Sequence, residues 1–491
     1  MRASGILMPI FSLCSNYGIG TLGKEAYNFV DFLEKSGQKY WQILPIGIIG
    51  PADSPYQSVS AFAGNPFFID LDMLTEEGFI TKEDILKYDF GGDKEKINYR
   101  LINKNRPKIL RTAFENFKNN IPSDFDGFLE ENGYWLEDYS LFAALKDYHK
   151  GLDFDRWGKG FINREKECIE SFKTEYREEI MFYQAEQYFF FKQWLRLKEY
   201  ANKKGILIIG DMPIYVALDS ADVWSNPDEY LLDKDFKPKS VAGTPPDAFS
   251  KDGQLWGNPL YNWKTMKQNN YSWWANRLFH SSKLFDVVRI DHFRAFSAYF
   301  SIPYGDKTAK NGKWVKGPGK KFFDAMKERL GELNIIAEDL GTIDDDVRRL
   351  LEYTGFPGMK VLQFAFDPDD ESTYLPHNLV KNCVTYTGTH DNDTLMGFLK
   401  DGDPKSVEFM KNYFNIKDDD SFNWCVIKAT MATVADTVIF QMQDFLGLDN
   451  TARINTPATV ENNWQWRIGE GCINDWLAGI IRECTELYYR T

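Results

Sequence analysis

Short apolar runs rich in β-branched residues punctuate this chain, and most of them end in a polar residue. They are Gly5–Ile10, Tyr40–Pro45, Ile206–Asp211, Phe285–Asp291, Asn334–Asp339, Lys360–Phe364, Asn382–Thr387 and Thr437–Met442. Continuous apolar character over so few residues predicts strands buried on both faces. Between most of them the apolar spacing shifts to a helical period, as in Leu22–Ser36, in Phe322–Leu330 with Gly331 as its stop, and in Asp344–Tyr353. Buried strands alternating with amphipathic helices imply parallel βαβ units, and eight of them predict an α/β fold closed as a TIM-type (β/α)8 barrel. On pattern alone, an open doubly wound sheet is the competing arrangement.

Two connections exceed a simple crossover. Charged, helical periodicity within residues 66–200, between the second and third runs, predicts an inserted helical subdomain. Residues 217–283, between the third and fourth runs, are rich in Pro, Gly, Asn and Trp, and long irregular connections in a compact domain are more often functional than idle. The chain ends soon after the eighth run. The expectation is one catalytic barrel over residues 1–491, with no separate C-terminal β-domain.

Charge narrows the partners. A net charge of −14 argues against nucleic acid and against an anionic membrane surface, both of which are bound through an excess of Lys and Arg. Cys14, Cys168, Cys383, Cys425, Cys472 and Cys484 show no CxxC or zinc-finger spacing and read as reduced thiols. The apolar start is broken by Pro9, too soon for a signal-peptide core, and no apolar stretch approaches the roughly 20 residues that cross a bilayer. A soluble, cytoplasmic protein is expected. Aromatic residues make up 16% of the chain; such rings stack on pyranose faces, although large cores are aromatic too.

The candidate chemistry lies at the ends of the runs. Asp211 closes the third, Asp291 the fourth and Glu338 the fifth, while His390-Asp391 follows the seventh. In a barrel all of these ends share the C-terminal face, where active sites of this fold are built. An acid there can equally cap the next helix, but four on different strands point to a shared site. With five histidines and no Gly-x-Ser-x-Gly elbow, a His-centred triad has few candidates. A metal site on His390, Asp391 and Asp393 lacks further His ligands at suitable spacing, and no Gly-x-Gly-x-x-Gly follows a strand; neither a metal nor an organic cofactor is indicated.

Glycoside chemistry needs two carboxyls, one ionised and one protonated. Arg289 and Asp291, two apart on a strand, share a face, and a neighbouring guanidinium favours the charged carboxylate of a nucleophile. Glu338 follows Ile335-Ile336-Ala337, an apolar setting that suits a general acid/base.

The segments Arg289–Arg294, Ala337–Gly341 and Thr389–Asn392 resemble signatures of the 4-α-glucanotransferases, the family of amylomaltases and plant disproportionating enzymes. The resemblance extends to Ser54–Ser58, Ala61–Pro66, Gly210–Val216, Gly243–Ser250, Gln254–Pro259 and Asn462–Trp464. It implies a retaining double displacement on α-1,4-glucans and maltooligosaccharides, with Asp291 as nucleophile, Glu338 as acid/base, and Asp391 binding and distorting the cleaved sugar. By the same resemblance His390, Arg289, Tyr56 and Asp211 support that sugar, and Ser54, Phe249, Gln254, Trp256, His292, Asn462 and Asn463 bind substrate. The loop 243–260, with Pro245-Pro246, is similar to the family's lid. Cys14 and Asn16 stand where the family commonly has prolines, and Ile454, Thr456 and Ala458 where Met, Leu and Gly are usual. A plain α-glucan hydrolase on the same carboxylates is the alternative activity, and a non-catalytic glucan-binding scaffold is the alternative class. Oligomeric state is not legible.

Overall fold

The computed structural model describes residues 2–246, 250–369 and 371–491. Its strands, in chain order, are β1 (Ala3–Leu7), β2 (Tyr40–Gln42), β3 (Leu207–Met212), β4 (Ser240–Thr244), β5 (Gln254–Pro259), β6 (Val287–Ile290), β7 (Ala298–Pro303), β8 (Lys313–Lys316), β9 (Ile335–Ala337), β10 (Gly358–Val361), β11 (Cys383–Tyr386) and β12 (Thr437–Gln441). Eight of these close a barrel in the order β1-β2-β3-β6-β9-β10-β11-β12, and every printed pairing within it is parallel. They coincide with the eight apolar runs, and the open sheet is excluded.

Packing explains why the runs read so clearly. All five residues of β1 and all four of β11 are buried, because side chains on one face fill the barrel and those on the other meet the helices. At Gly210 a Cβ would stand 2.2 Å from the Phe285 ring, so the strand interior there accepts no side chain. One boundary moves: pairing of the sixth run begins at Gly358 and ends at Val361, and Leu362–Phe364 turns into a 3-10 helix. An apolar run does not reveal where hydrogen-bonded pairing stops, since Leu362 is buried in the turn as well.

The helix after β1 spans Lys24–Lys35 and buries Ala26, Phe29, Val30, Phe32 and Leu33, the stripe that a 3.6-residue period requires. The helix Lys320–Leu330 stops at Gly331 (φ 76°) and Asp345–Thr354 at Gly355 (φ 69°), in a conformation glycine adopts without a Cβ clash. Asp344 caps the latter by accepting the N–H groups of Asp346 and Val347, each at 3.0 Å. Between β2 and β3 run several helices, the longest being Tyr99–Asn119, Phe125–Tyr148 and Arg177–Lys203.

A second sheet, of order β5-β4-β7-β8 and antiparallel throughout, has no counterpart in the pattern of apolar runs. Its strand β8 is largely exposed and β5 only partly buried, so they lack the continuous apolar character of the barrel strands. After β12 the described residues form helices and loops without a strand, and the final helix, Asp475–Leu487, packs on Lys24–Lys35. Among the described residues no helix is long and apolar enough to cross a membrane.

Candidate active site

Strand register builds the centre of the site. Asp211 on β3 lies opposite Arg289 on β6, and Nη1 of Arg289 stands 2.7 Å from both carboxylate oxygens of Asp211. The same nitrogen is 3.0 Å from Asp291 Oδ1. One guanidinium therefore serves two acids. The side chains of Asp211 and Arg289 are 0% and 5% exposed, whereas Asp291 keeps 29%. Burial alone would depress Arg289, but Asp211 and Asp291 more than offset it and hold the cation firmly charged. The Tyr56 hydroxyl donates to Asp211 Oδ2 at 2.8 Å, and burial together with that carboxylate keeps the phenol protonated.

Glu338, just beyond β9, is positioned by main chain. The N–H of His292 donates to its Oε2 at 2.6 Å and the N–H of Leu340 to its Oε1 at 2.8 Å. His292 takes a left-handed conformation (φ 54°), which ends β6 abruptly and helps to aim that N–H. Burial raises the Glu338 carboxyl above the usual range, against the charge-favouring effects of Arg289 and the two N–H groups. Asp291 is pushed up to about 8, first by burial and then by Asp211, Glu338 and Asp391, with Arg289 opposing. Arg289 thus adjoins Asp291 as the two-residue spacing suggests, but its charge is divided, and both carboxyls are raised.

The opposite wall comes from the loop after β11. His390 stacks on Tyr56, with ring centroids 5.2 Å apart and planes 17° apart, and Trp464 packs beside both. Burial lowers the His390 pKa, against Asp391, whose Oδ1 is 3.3 Å from Nε2. Ser54 Oγ accepts the N–H of Tyr56 at 3.3 Å and so steadies the approach to that ring.

Trp256 on β5 meets His292 edge-on, with centroids 4.9 Å apart and planes at 85°. Its indole N–H donates to Gln254 Oε1 at 3.0 Å. Burial pushes His292 down to about 3, so the ring is neutral, and its buried Nε2 has no hydrogen-bond partner. Asn463 uses its amide within its own loop, accepting from Thr456 N at 2.9 Å and donating to Thr459 O at 3.0 Å. Asn462 is exposed on that loop with φ 62°, and Phe249 lies outside the described residues. Among those residues no cluster of His, Cys, Asp and Glu is arranged to hold a metal ion.

Comparison with known proteins decides the family. The profile of the 4-alpha-glucanotransferases, glycoside hydrolase family 77, matches residues 8–471. The chain belongs to the 4-alpha-glucanotransferase family. A 4-alpha-glucanotransferase of Clostridium butyricum is 51% identical over 485 residues, covering 98% of this chain and 100% of that protein. One from Streptococcus pneumoniae is 46% identical over 492 residues, covering 100% and 97%. The amylomaltase of Streptococcus agalactiae in complex with acarbose superposes with a TM-score of 0.97 at 43% identity, over 100% of both chains.

Sequence reasoning missed two residues that hold Asp391. Asn455 Nδ2 donates to Asp391 Oδ1 at 2.6 Å, and Arg453 Nη2 donates to the Asp391 carbonyl at 2.6 Å. Both lie in Arg453–Thr459, where the departures at 454, 456 and 458 draw the eye. The signal was the pair itself, since residues two apart on an extended segment face one side. Trp464 was quoted only as part of a motif, and its ring completes the aromatic group around His390.

Proposed function

We propose that the chain transfers α-1,4-linked glucan segments from a donor maltooligosaccharide or starch-type glucan to the 4-hydroxyl of an acceptor glucan or glucose. Asp291 attacks the anomeric carbon as the bond to the leaving O4 breaks, and Glu338 gives its proton to that oxygen. A covalent β-glucosyl ester results. The acceptor's 4-hydroxyl then attacks the same carbon, Glu338 takes its proton, Asp291 leaves, and the α configuration is restored.

The observation that carries this assignment is the asymmetry of Arg289. The cluster holds more carboxyls than cations, so its acids share protons and titrate as a set. With Arg289 Nη1 at 3.0 Å, Asp291 is the one of the two reacting carboxyls that a guanidinium touches. Glu338, buried deeper, retains a proton because burial outweighs the two backbone N–H groups that favour its charged form. Protonating Glu338 also removes a charge that raises Asp291, so the two assignments reinforce each other.

Around this pair, Asp391 and His390 are proposed to bind the cleaved sugar, with Tyr56 as its stacking ring and Asp211 fixing Arg289. The loop 243–260, of which residues 247–249 lie outside the described residues and in which Trp256 meets His292, acts as a lid that excludes water and favours a sugar acceptor. The helical segment 66–200 and the segment 217–283 are read as walls of one catalytic unit, and the six free cysteines suit a reducing cytoplasm.

Incubation with maltotriose tests the reading, with both the oligosaccharide ladder and total reducing ends followed in time. Glucose and longer products at constant reducing ends are expected. Rising reducing ends with only shorter products would make this a hydrolase, and binding without turnover across a maltodextrin series would leave a scaffold.

A further inference from the structure

Asp391 is gripped through one oxygen. Its Oδ1 accepts Asn455 Nδ2 at 2.6 Å and faces His390 Nε2 at 3.3 Å, while the side chain as a whole is 45% exposed. The grip belongs to a three-residue arm on the segment after β12. Arg453 Nη2 donates to the Asp391 carbonyl at 2.6 Å, its Nη1 pairs with Asp393, and its Nε donates to the Asn455 carbonyl at 2.8 Å. The Asn455 N–H closes the arm on the His390 carbonyl at 3.1 Å. Two loops far apart in sequence are thereby locked at the residue that meets the sugar.

We propose that Asn455 is a positioning residue for glucan transfer, orienting the Asp391 carboxylate through Oδ1 so that Oδ2 is presented to sugar hydroxyls. The inference rests on the role given to Asp391 above. The chemistry of the donor matters. A neutral amide fixes the direction of a carboxylate without neutralising it, whereas a guanidinium in its place would be a rival ligand for the same charge. Arg453, the cation on this arm, is committed to Asp393 and to two main-chain carbonyls, so the charge on Asp391 stays available. The other groups that sense it are His390, kept neutral by burial, Tyr56, stacked on His390, and the Asp291 carboxyl.

Asn455→Asp is the informative variant because it is isosteric and replaces the donor by a second carboxylate. Two carboxylates at this separation cannot both ionise, so the pair retains a proton near neutrality. In maltotriose disproportionation kcat is expected to fall roughly 10- to 100-fold near neutral pH, with KM little changed. Activity should recover as pH rises, moving the acid limb of the profile upward by roughly one unit or more. Asn455→Ser, which keeps a shorter donor, is expected to lose kcat without moving that limb, and both variants should unfold near the wild-type midpoint. Asp391→Asn separates the two levels: retained transfer there would remove the role of Asp391 itself. An inactive Asp391→Asn beside an Asn455→Asp of normal rate and pH profile would overturn the positioning role. So would equal losses in both Asn455 variants with lowered midpoints and an unmoved acid limb, which would make the arm a brace of the fold only.

Discussion

Asp211 and Arg289 form a buried ion pair in which one guanidinium nitrogen lies 2.7 Å from both carboxylate oxygens. Because the same nitrogen also touches Asp291, the pair regulates how much positive charge Asp291 feels. Asp211→Asn removes a negative charge that raises Asp291. The Asp291 pKa then falls, and the acid limb of kcat/KM is expected to move to lower pH. The rate at the optimum should fall on the order of 10-fold, as Tyr56 loses a charged acceptor worth about 1.5–3 kcal/mol. A pH profile of the variant with maltotriose measures both effects, and an acid limb that moves upward would count against the shared guanidinium.

Glu338→Gln is not a silent isostere. Both Glu338 oxygens accept backbone N–H groups, and an amide leaves one of those donors facing an NH2 group. We expect a loss of about 1–3 kcal/mol in stability, read by denaturant unfolding, together with a roughly 10²- to 10⁴-fold loss of transfer. A donor whose leaving group needs no protonation should still glucosylate Asp291 in this variant, and intact-protein mass spectrometry would register the adduct. No adduct with an active wild-type control would undermine the covalent step.

Trp256 roofs His292 through an edge-to-face contact. Trp256→Ala is expected to admit water, raising the hydrolytic share of turnover on the order of 10-fold while transfer declines. The ratio of new reducing ends to disproportionation products reports this, and an unchanged ratio would relieve Trp256 of any part in excluding water.

Asp444, fully buried below the loop that carries His390 and Asp391, accepts the Thr387 hydroxyl at 2.6 Å and the Leu395 N–H at 2.8 Å. Burial pushes its carboxyl from 3.8 up to about 7, against both hydrogen bonds. An acid whose folded pKa is raised contributes stability that is complete below the unfolded pKa and lost as pH rises through the folded one. Wild-type stability should therefore decline between pH 3.8 and about 7 by about 4 kcal/mol from this group. Asp444→Asn should flatten that decline, as urea unfolding across the window would register.

What could be read from the chain follows from how each part is stabilised. The barrel strands were legible because burial on both faces makes them continuous apolar runs, and Asp211, Asp291 and Glu338 because they follow those runs at the C-terminal rim. The sheet of β4, β5, β7 and β8 was not, since β8 alternates Lys313, Trp314, Val315 and Lys316 at the surface. The division of Arg289 between two acids was hidden as well. It depends on the register that sets Asp211 opposite Arg289, and register is a property of paired strands. Arg453 and Asn455 act from an irregular loop whose only periodic cue was their own spacing.

The small sheet draws β4 and β5 from before β6 and β7 and β8 from after it. The frame thus joins segments that precede and follow the strand bearing Arg289, and the chain passes from that strand through one short turn into β7. Family members that differ in this region should accept length changes between β4 and β5 on the β4 side of Asp252, whose carbonyl accepts the Ala309 N–H at 2.9 Å and so ties that end to the frame. They should resist changes between β6 and β7, where one inserted residue would shift the frame and Asp291 together. Inherited variation in acceptor preference is therefore expected to gather between β4 and β5, leaving the chemistry of the barrel rim untouched.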